Sequence, residues 1–139
     1  IIAKGSIVAD FKDSININTA LPYDIKTVSE VNVKERPETL SAENIILHAG
    51  QVNITDKIKA INELNIIAEK EINLNDAALL SSNNLSMTAI NNINSLQSEV
   101  TGKDITLISR HGDIRFQSSE KPGYFNADNT RRISTLDAK

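Results

Sequence analysis

The amino-acid sequence predicts an all-β protein, a parallel β-helix (solenoid) of about six rungs with about 20 residues each. Three observations support this fold class. A pattern that alternates apolar and polar residues is written four times between Leu40 and Phe116. Its first apolar anchors are 19, 21 and 20 residues apart, at Ile45, Leu64, Leu85 and Ile105. Small residues recur four positions after each anchor, at Ala49, Ala68, Ala89 and Ser109.

Composition favours stacked layers over a globular centre. The 139-residue chain is 40% hydrophobic but only 4% aromatic, and it contains no Trp. An interior of Ile, Leu, Val and Ala suits narrow rungs. Asn is abundant, and because it prefers turns to strands it indicates short strands with frequent corners. The length is that of one domain, so we expect a single β-helix segment over residues 1–139.

Charge and cysteine content exclude several classes of function. The net charge of −3 and the dispersed Lys and Arg residues provide no basic field for nucleic acid or an anionic membrane. The lack of cysteine excludes disulfides, a thiolate nucleophile and a Cys-based zinc site. No apolar run reaches 18 residues, so no transmembrane segment is predicted. The chain shows no signal peptide and does not begin with Met, so we expect a fragment of a longer protein.

Residues 1–39 are predicted to form irregular first rungs. The segment Ile7–Phe11 alternates, with Phe11 on the apolar face, and residues 12–14 supply a turn before a second alternating pair at 15–17. Residues 25–33 are predicted to form a second rung. The charged segment 34–39 contains a proline, which belongs at edges and corners, and we predict a loop there.

Residues 40–116 are predicted to form the regular rungs. The second strand of each copy carries the pairs Val52/Ile54, Ile72/Leu74, Ile93/Ser95 and Ile114/Phe116. Side chains in a strand alternate between faces, so Leu64 and Ile66 point inward while Asn65 points outward. The segment 58–74 also fits a helical spacing, but the neighbouring copies contain Asn-Asn pairs and glycines that disfavour a helix. Consistency across the copies therefore favours strands.

The pattern lapses after Phe116. Residues 117–132 contain the turn signal Pro122-Gly123 and are predicted to be an inserted loop, and residues 133–139 are predicted to start a further rung. Aromatic side chains are rare in this chain, and two of them lie in this loop. We therefore expect any partner binding to use this loop, through Tyr124, Phe125, Arg131 and Arg132; the alternative is that its aromatic residues pack on the shaft.

No catalytic, metal-binding or cofactor-binding set is predicted. His48 and His111 lack a partner motif and are expected to be solvated surface residues. The aspartates Asp56, Asp76, Asp104 and Asp113 do not repeat in register, so they are expected to be solvated rather than a glycan-cleaving or Ca²⁺-binding face. Outward asparagines on successive rungs are expected to stack their amides into ladders, and they are Asn53, Asn65, Asn73 and Asn94.

The repeat resembles a known family. The phrases Leu85-Ser86-Met87-Thr88-Ala89, Asn91-Asn92-Ile93-Asn94 and Gly112-Asp113-Ile114 are similar to the haemagglutinin repeats of filamentous haemagglutinin-like exoproteins. The resemblance covers residues 40–119 well, the first forty residues loosely, and includes the closing RISTLDAK. Such repeats occur in two-partner secreted adhesins and in effectors of contact-dependent growth inhibition. Neither the family's secretion-domain Asn-Pro motif nor a toxin domain is found, which indicates a piece of the filament shaft.

The resemblance implies a right-handed parallel β-helix on the surface of a Gram-negative bacterium. It implies export through an outer-membrane transporter in an unfolded state, and use in adhesion or contact-dependent growth inhibition, with a receptor on a host or target cell. The segment itself is then non-enzymatic, and its neighbours are rungs of the parent chain. The alternative is a β-helical glycan-active or phage-type spike domain. A trimeric spike needs an outward apolar stripe, for which the candidates are Ile46, Ile67, Ile90 and Ile108.

Overall fold

The structure, a computed structural model, describes residues 1–18, 38–117, 119–120, 131–132 and 135–138. Every helix-or-strand element in these ranges is a β-strand. In chain order the strands are β1 (Ser6–Asp10), β2 (Ser14–Ile17), β3 (Leu40–Ala49), β4 (Gln51–Ile54), β5 (Lys57–Ala68), β6 (Ile72–Asn75), β7 (Ala78–Ser81), β8 (Asn84–Ala89), β9 (Ile93–Leu96), β10 (Glu99–Gly102), β11 (Asp104–Ser109), β12 (Ile114–Gln117), β13 (Ser119–Glu120), β14 (Arg131–Arg132) and β15 (Thr135–Ala138).

The strands form a β-solenoid of about four turns, which confirms the predicted all-β solenoid, while the expected count of about six rungs stays a prediction. One parallel sheet has the order β1-β3-β5-β7-β10-β15, with β8 and β11 extending it beside β5, and a second has the order β12-β9-β6-β4-β2. We number the turns 1 (residues 40–54), 2 (57–75), 3 (78–96) and 4 (99–117). Strands β1 and β2, the β1–β2 unit, stack on turn 1, and β15 stacks on β10 of turn 4.

Each turn has three strand segments, whereas the repeat pattern predicted two. Strand β5 pairs with β7 through Lys57–Ala60 and with β8 through Glu63–Ala68, so one long strand covers two sides of the solenoid. Strand β3 does the same, with a register shift between Ala42 and Asn44. Turns 3 and 4 divide this stretch into separate strands. The extended conformation of β5 and β6 confirms strands over residues 58–74 and excludes the helical alternative.

The interior ladders predicted from the sequence are confirmed. Ile45 pairs in register with Leu64, Leu64 with Leu85, and Leu85 with Ile105. The first three are buried and Ile105 is half-buried. The small residues Ala49, Ala68, Ala89 and Ser109 are also in register. Burying each large aliphatic side chain contributes about 1.5–3 kcal/mol, so these rows supply much of the stabilisation.

The amino-terminal end differs from the prediction at two places. Phe11 follows the end of β1 and is 58% exposed, so it does not continue the apolar face of Ile7. Strand β1 pairs directly with β3, and β2 with β4, so the β1–β2 unit and turn 1 are immediate neighbours in the stack. The predicted second rung at residues 25–33 falls outside the described residues, as does the predicted loop at 34–39 except for its last two residues.

The carboxyl-terminal segments are described only in part. Strands β13 and β14, inside the predicted insertion 117–132, pair antiparallel with each other. Strand β15, inside the predicted further rung 133–139, pairs parallel with β10. The division of the chain at these boundaries stays a prediction.

Corners between strands impose local backbone demands. Gly50 joins β3 to β4, and a Cβ atom there would lie 2.5 Å from the carbonyl oxygen of Asp13 in the neighbouring β1–β2 unit. Only glycine allows that approach without a shift. Asp76 and Gln97 follow β6 and β9 at equivalent corners and share a left-handed backbone, with φ of 53° and 54°. This backbone conformation costs about 1–2 kcal/mol per residue.

Candidate functional site

An asparagine ladder runs along the outer face of the second sheet. Asn53 donates to the Oδ1 atom of Asn16 at 2.8 Å, Asn73 to Asn53 at 3.0 Å, and Asn94 to Asn73 at 2.9 Å. The four residues are register partners on successive levels. This confirms the predicted amide stacking for Asn53, Asn73 and Asn94. The ladder satisfies polar groups on a half-buried face and ties each level to the next.

A second ladder occupies a corner of the first sheet. Asn83 donates to Asn62 at 2.9 Å, Asn62 donates to Asn44 at 3.0 Å, and Asn44 donates to the Ser6 hydroxyl at 3.5 Å. Asn65, which the sequence placed with the first ladder, instead accepts a bond from the Ser86 hydroxyl at 2.9 Å. Both ladders add side-chain hydrogen bonds between successive levels of the solenoid to the backbone hydrogen bonds that already join them.

His48 is half-exposed at the surface, as expected, and it lies between two carboxylates that no motif in the sequence indicated. Its Nδ1 atom is 3.2 Å from Asp10 Oδ1, and its Nε2 atom is 2.8 Å from Glu69 Oε1. Asp10 is the register partner of His48 on β1, and Glu69 follows β5. The bond to Glu69, with a smaller contribution from Asp10, raises the pKa of His48 above its ordinary value of 6.5, and partial desolvation opposes that rise.

The other histidine and the aspartates considered for chemistry do not form a site. His111 is exposed in the corner between β11 and β12. Asp56 was expected to be solvated, but it is buried. Its Oδ1 atom accepts a hydrogen bond from the backbone N–H of Lys57 at 2.8 Å, which is a structural role at the corner after β4. Among the described residues, no three His, Cys, Asp or Glu side chains are grouped so that they could hold a metal ion.

A surface notch of about 430 Å³ lies on the first sheet across turns 2, 3 and 4. Thr101 and Asp104 of turn 4 pair with Leu80 and Asn84 of turn 3. Turn 4 has one residue fewer than turn 3 between these two pairing positions, and the notch forms there. The residues that line it include Lys59, Leu80, Ser82, Thr101 and Lys103. The notch is open and its lysines are exposed, so it offers positive charge without a set of converging polar groups that would orient one ligand.

The outward isoleucines considered for a trimer interface are Ile46, Ile67, Ile90 and Ile108. None is the register partner of another: Ile46 pairs with Asn65, Ile67 pairs with Thr88, and Ile90 lies in the corner after β8. The first three are half-buried and Ile108 is 40% exposed. They do not form one continuous row, so the structure gives no support to a spike-type trimer through them.

The described residues include only part of the predicted binding loop. Tyr124 and Phe125 lie outside the described residues. Arg131 and Arg132 form β14, and the backbone pairs with Ser119–Glu120. The described residues contain no helix with the length and hydropathy needed to cross a bilayer.

No protein-family model matches the chain, and no solved structure matches it. The chain is 27% identical over 134 residues to a protein of Yersinia mollaretii named tRNA nuclease CdiA. The match covers 88% of this chain and 4% of the length of that relative. The repeat motifs first indicated a resemblance to the repeat region of filamentous exoproteins. The β-solenoid and the similarity to CdiA, a contact-dependent growth inhibition protein, confirm that resemblance.

Proposed function

We propose that the chain is a non-enzymatic structural segment of a secreted, cell-surface exoprotein that acts in contact-dependent growth inhibition. The observation that carries the proposal is the continuous register of the apolar ladder through turns 1 to 4, together with amide ladders that run from the β1–β2 unit to turn 3. This register makes the segment a stiff spacer. Similarity to CdiA supports the biological setting. Because the match covers 4% of that relative, the nuclease in its name is not assigned to this chain.

The proposal extends to finer points of architecture and export. The solenoid is right-handed and continues to about six rungs through the segments around β15. The parent chain passes an outer-membrane transporter unfolded and folds outside a Gram-negative cell, and the stacking of each new turn drives folding without ATP. Chains without cysteine suit this route, because no disulfide forms before export.

An in-frame deletion of residues 57–98 from the parent exoprotein tests the spacer function. Glu99 is the register equivalent of Lys57 through Ala78, so the deletion joins Asp56 to Glu99 in register. It is predicted to shorten the filament by about 10 Å, since two levels of about 4.8 Å are lost. Surface display, measured with an antibody against a distal epitope, should persist while target-cell inhibition changes only modestly. Complete loss of the inhibitory activity with normal display would point to a specific recognition role for these turns and would contradict a spacer.

We propose that partner contact, where this segment makes any, uses the insertion at 117–132. Its two aromatic residues and paired arginines combine stacking surface with cationic donors, a composition common in binding hot spots. Replacement of Tyr124 and Phe125 by Ala should reduce binding of the purified chain to target cells. Replacement of the exposed residues Ile61 and Lys59 on the shaft is the matched control. Equal binding by both pairs of variants would remove the loop as a contact.

A further inference from the structure

The His48 ring connects three levels of the solenoid. Asp10 belongs to the β1–β2 unit, His48 to turn 1, and Glu69 to the corner that follows β5 in turn 2. Both ring nitrogens face carboxylate oxygens, at 3.2 Å and 2.8 Å. A neutral imidazole carries one N–H and can donate to only one of these carboxylates, whereas the imidazolium ion donates to both. The double contact therefore requires the protonated ring.

Loss of the proton affects the two contacts differently. The shorter contact, to Glu69, retains the remaining proton on Nε2, and the Nδ1 lone pair then faces the Asp10 carboxylate. Two electron-rich groups in contact repel each other, so the link to the β1–β2 unit is the one that is lost. We propose that His48 is a proton-dependent clasp, which holds the β1–β2 unit, turn 1 and turn 2 together when protonated and releases Asp10 when deprotonated.

The surrounding charges agree with this assignment. Beyond Asp10, the β1–β2 corner carries Lys12 and Asp13, and the corner after β5 carries Lys70 and Glu71 beside Glu69. Of these groups, Glu69 and Asp10 are the ones that raise the pKa of His48, Glu69 the more strongly. A raised pKa means that the clasp stabilises fully below 6.5 and that its contribution is lost as the pH rises through the pKa of the folded state.

NMR titration of the histidine ring protons tests the clasp. The midpoint for His48 should lie above 6.5, Asp10→Asn should lower it, and Glu69→Gln should lower it further. Ring nitrogen shifts above the midpoint should show the tautomer protonated at Nε2. A midpoint that neither substitution moves, or protonation at Nδ1 in the neutral ring, would overturn the proposal.

A stability measurement distinguishes a clasp from a passive surface pair. The thermal midpoint of the wild-type chain should fall between about pH 6 and about pH 8.5 by more than that of His48→Gln. The matched control is His111→Gln, which alters the other histidine and should keep the wild-type pH dependence. Amide exchange in β1, corrected for the intrinsic effect of pH, should accelerate over the same range in the wild type and in His111→Gln but not in His48→Gln. Identical pH profiles for wild type and His48→Gln would refute the clasp.

Discussion

Replacement of Leu64 by Asn is the sharpest test of the interior register. Leu64 is 0% exposed and lies in register between Ile45 on turn 1 and Leu85 on turn 3. Leucine and asparagine have similar shapes, so the main costs are chemical rather than steric. Removing the apolar side chain from the interior costs about 1.5–3 kcal/mol. A buried amide without partners adds about 1–3 kcal/mol.

The expected loss of unfolding free energy is about 4 kcal/mol, a large part of the 5–15 kcal/mol that folded domains typically possess. The neighbouring substitution Asn65→Ser is the matched control. Asn65 is half-buried and accepts one hydrogen bond, from Ser86, so its replacement should cost at most about 1 kcal/mol.

Urea denaturation followed by far-UV circular dichroism measures both variants. Leu64→Asn should move the midpoint to a clearly lower urea concentration, and Asn65→Ser should move it little. Equal shifts for the two variants would contradict the assigned facing of Leu64 and Asn65. A larger shift for Asn65→Ser would show that the two faces are exchanged, because a one-residue slip inverts the facing of every side chain in a strand.

Three further changes probe the ladders and corners. Asn73→Ala removes one amide bond given and one received, and should cost about 1–2 kcal/mol in urea denaturation; no change would mean that water replaces the ladder fully. Gly50→Ala brings a Cβ to 2.5 Å from a backbone oxygen and should lower the melting temperature by an equivalent of about 1–3 kcal/mol, whereas Gly5→Ala, with nothing within 4 Å, should not lower it. Gln97→Gly relieves the left-handed backbone and removes an amide oxygen that has no partner among the described residues. It should stabilise the chain by up to about 1 kcal/mol, and a clear loss of stability would contradict that account.

The central ladders were predictable because their information is local and repeated. Alternation marks the inward residues, and the recurrence of Leu64 and Leu85 at similar spacing marks the stack. The third strand segment was missed because β7 reads Ala-Leu-Leu-Ser, in which Leu80 points outward, so the alternation is hidden. In turns 1 and 2 the equivalent stretch is part of the longer strands β3 and β5, so no turn-forming residues mark it as a separate segment.

The position of His48 shows why the candidate site was harder to predict. Its two carboxylate partners are 38 residues before it and 21 residues after it. Asp10 meets it because β1 stacks directly on β3, and Glu69 meets it because β5 stacks on the other side of β3. The sequence suggested an additional rung between those levels, which would have separated Asp10 from His48. Stacking order is a non-local property, so a pattern read along one chain does not determine it.

Each amide ladder has two chemically different ends. In every amide–amide bond of the two ladders the donor belongs to the later level and the acceptor to the earlier one, from Asn94 down to Asn16 and from Asn83 down to Asn44. The aligned amides therefore form a directional row, much as peptide units do along an α-helix. One end presents N–H groups and the other presents carbonyl oxygens. A level that extends a ladder fits only in the same orientation, since head-to-head stacking would place donor against donor. The amides therefore reinforce the parallel direction that the backbone pairing of the levels sets.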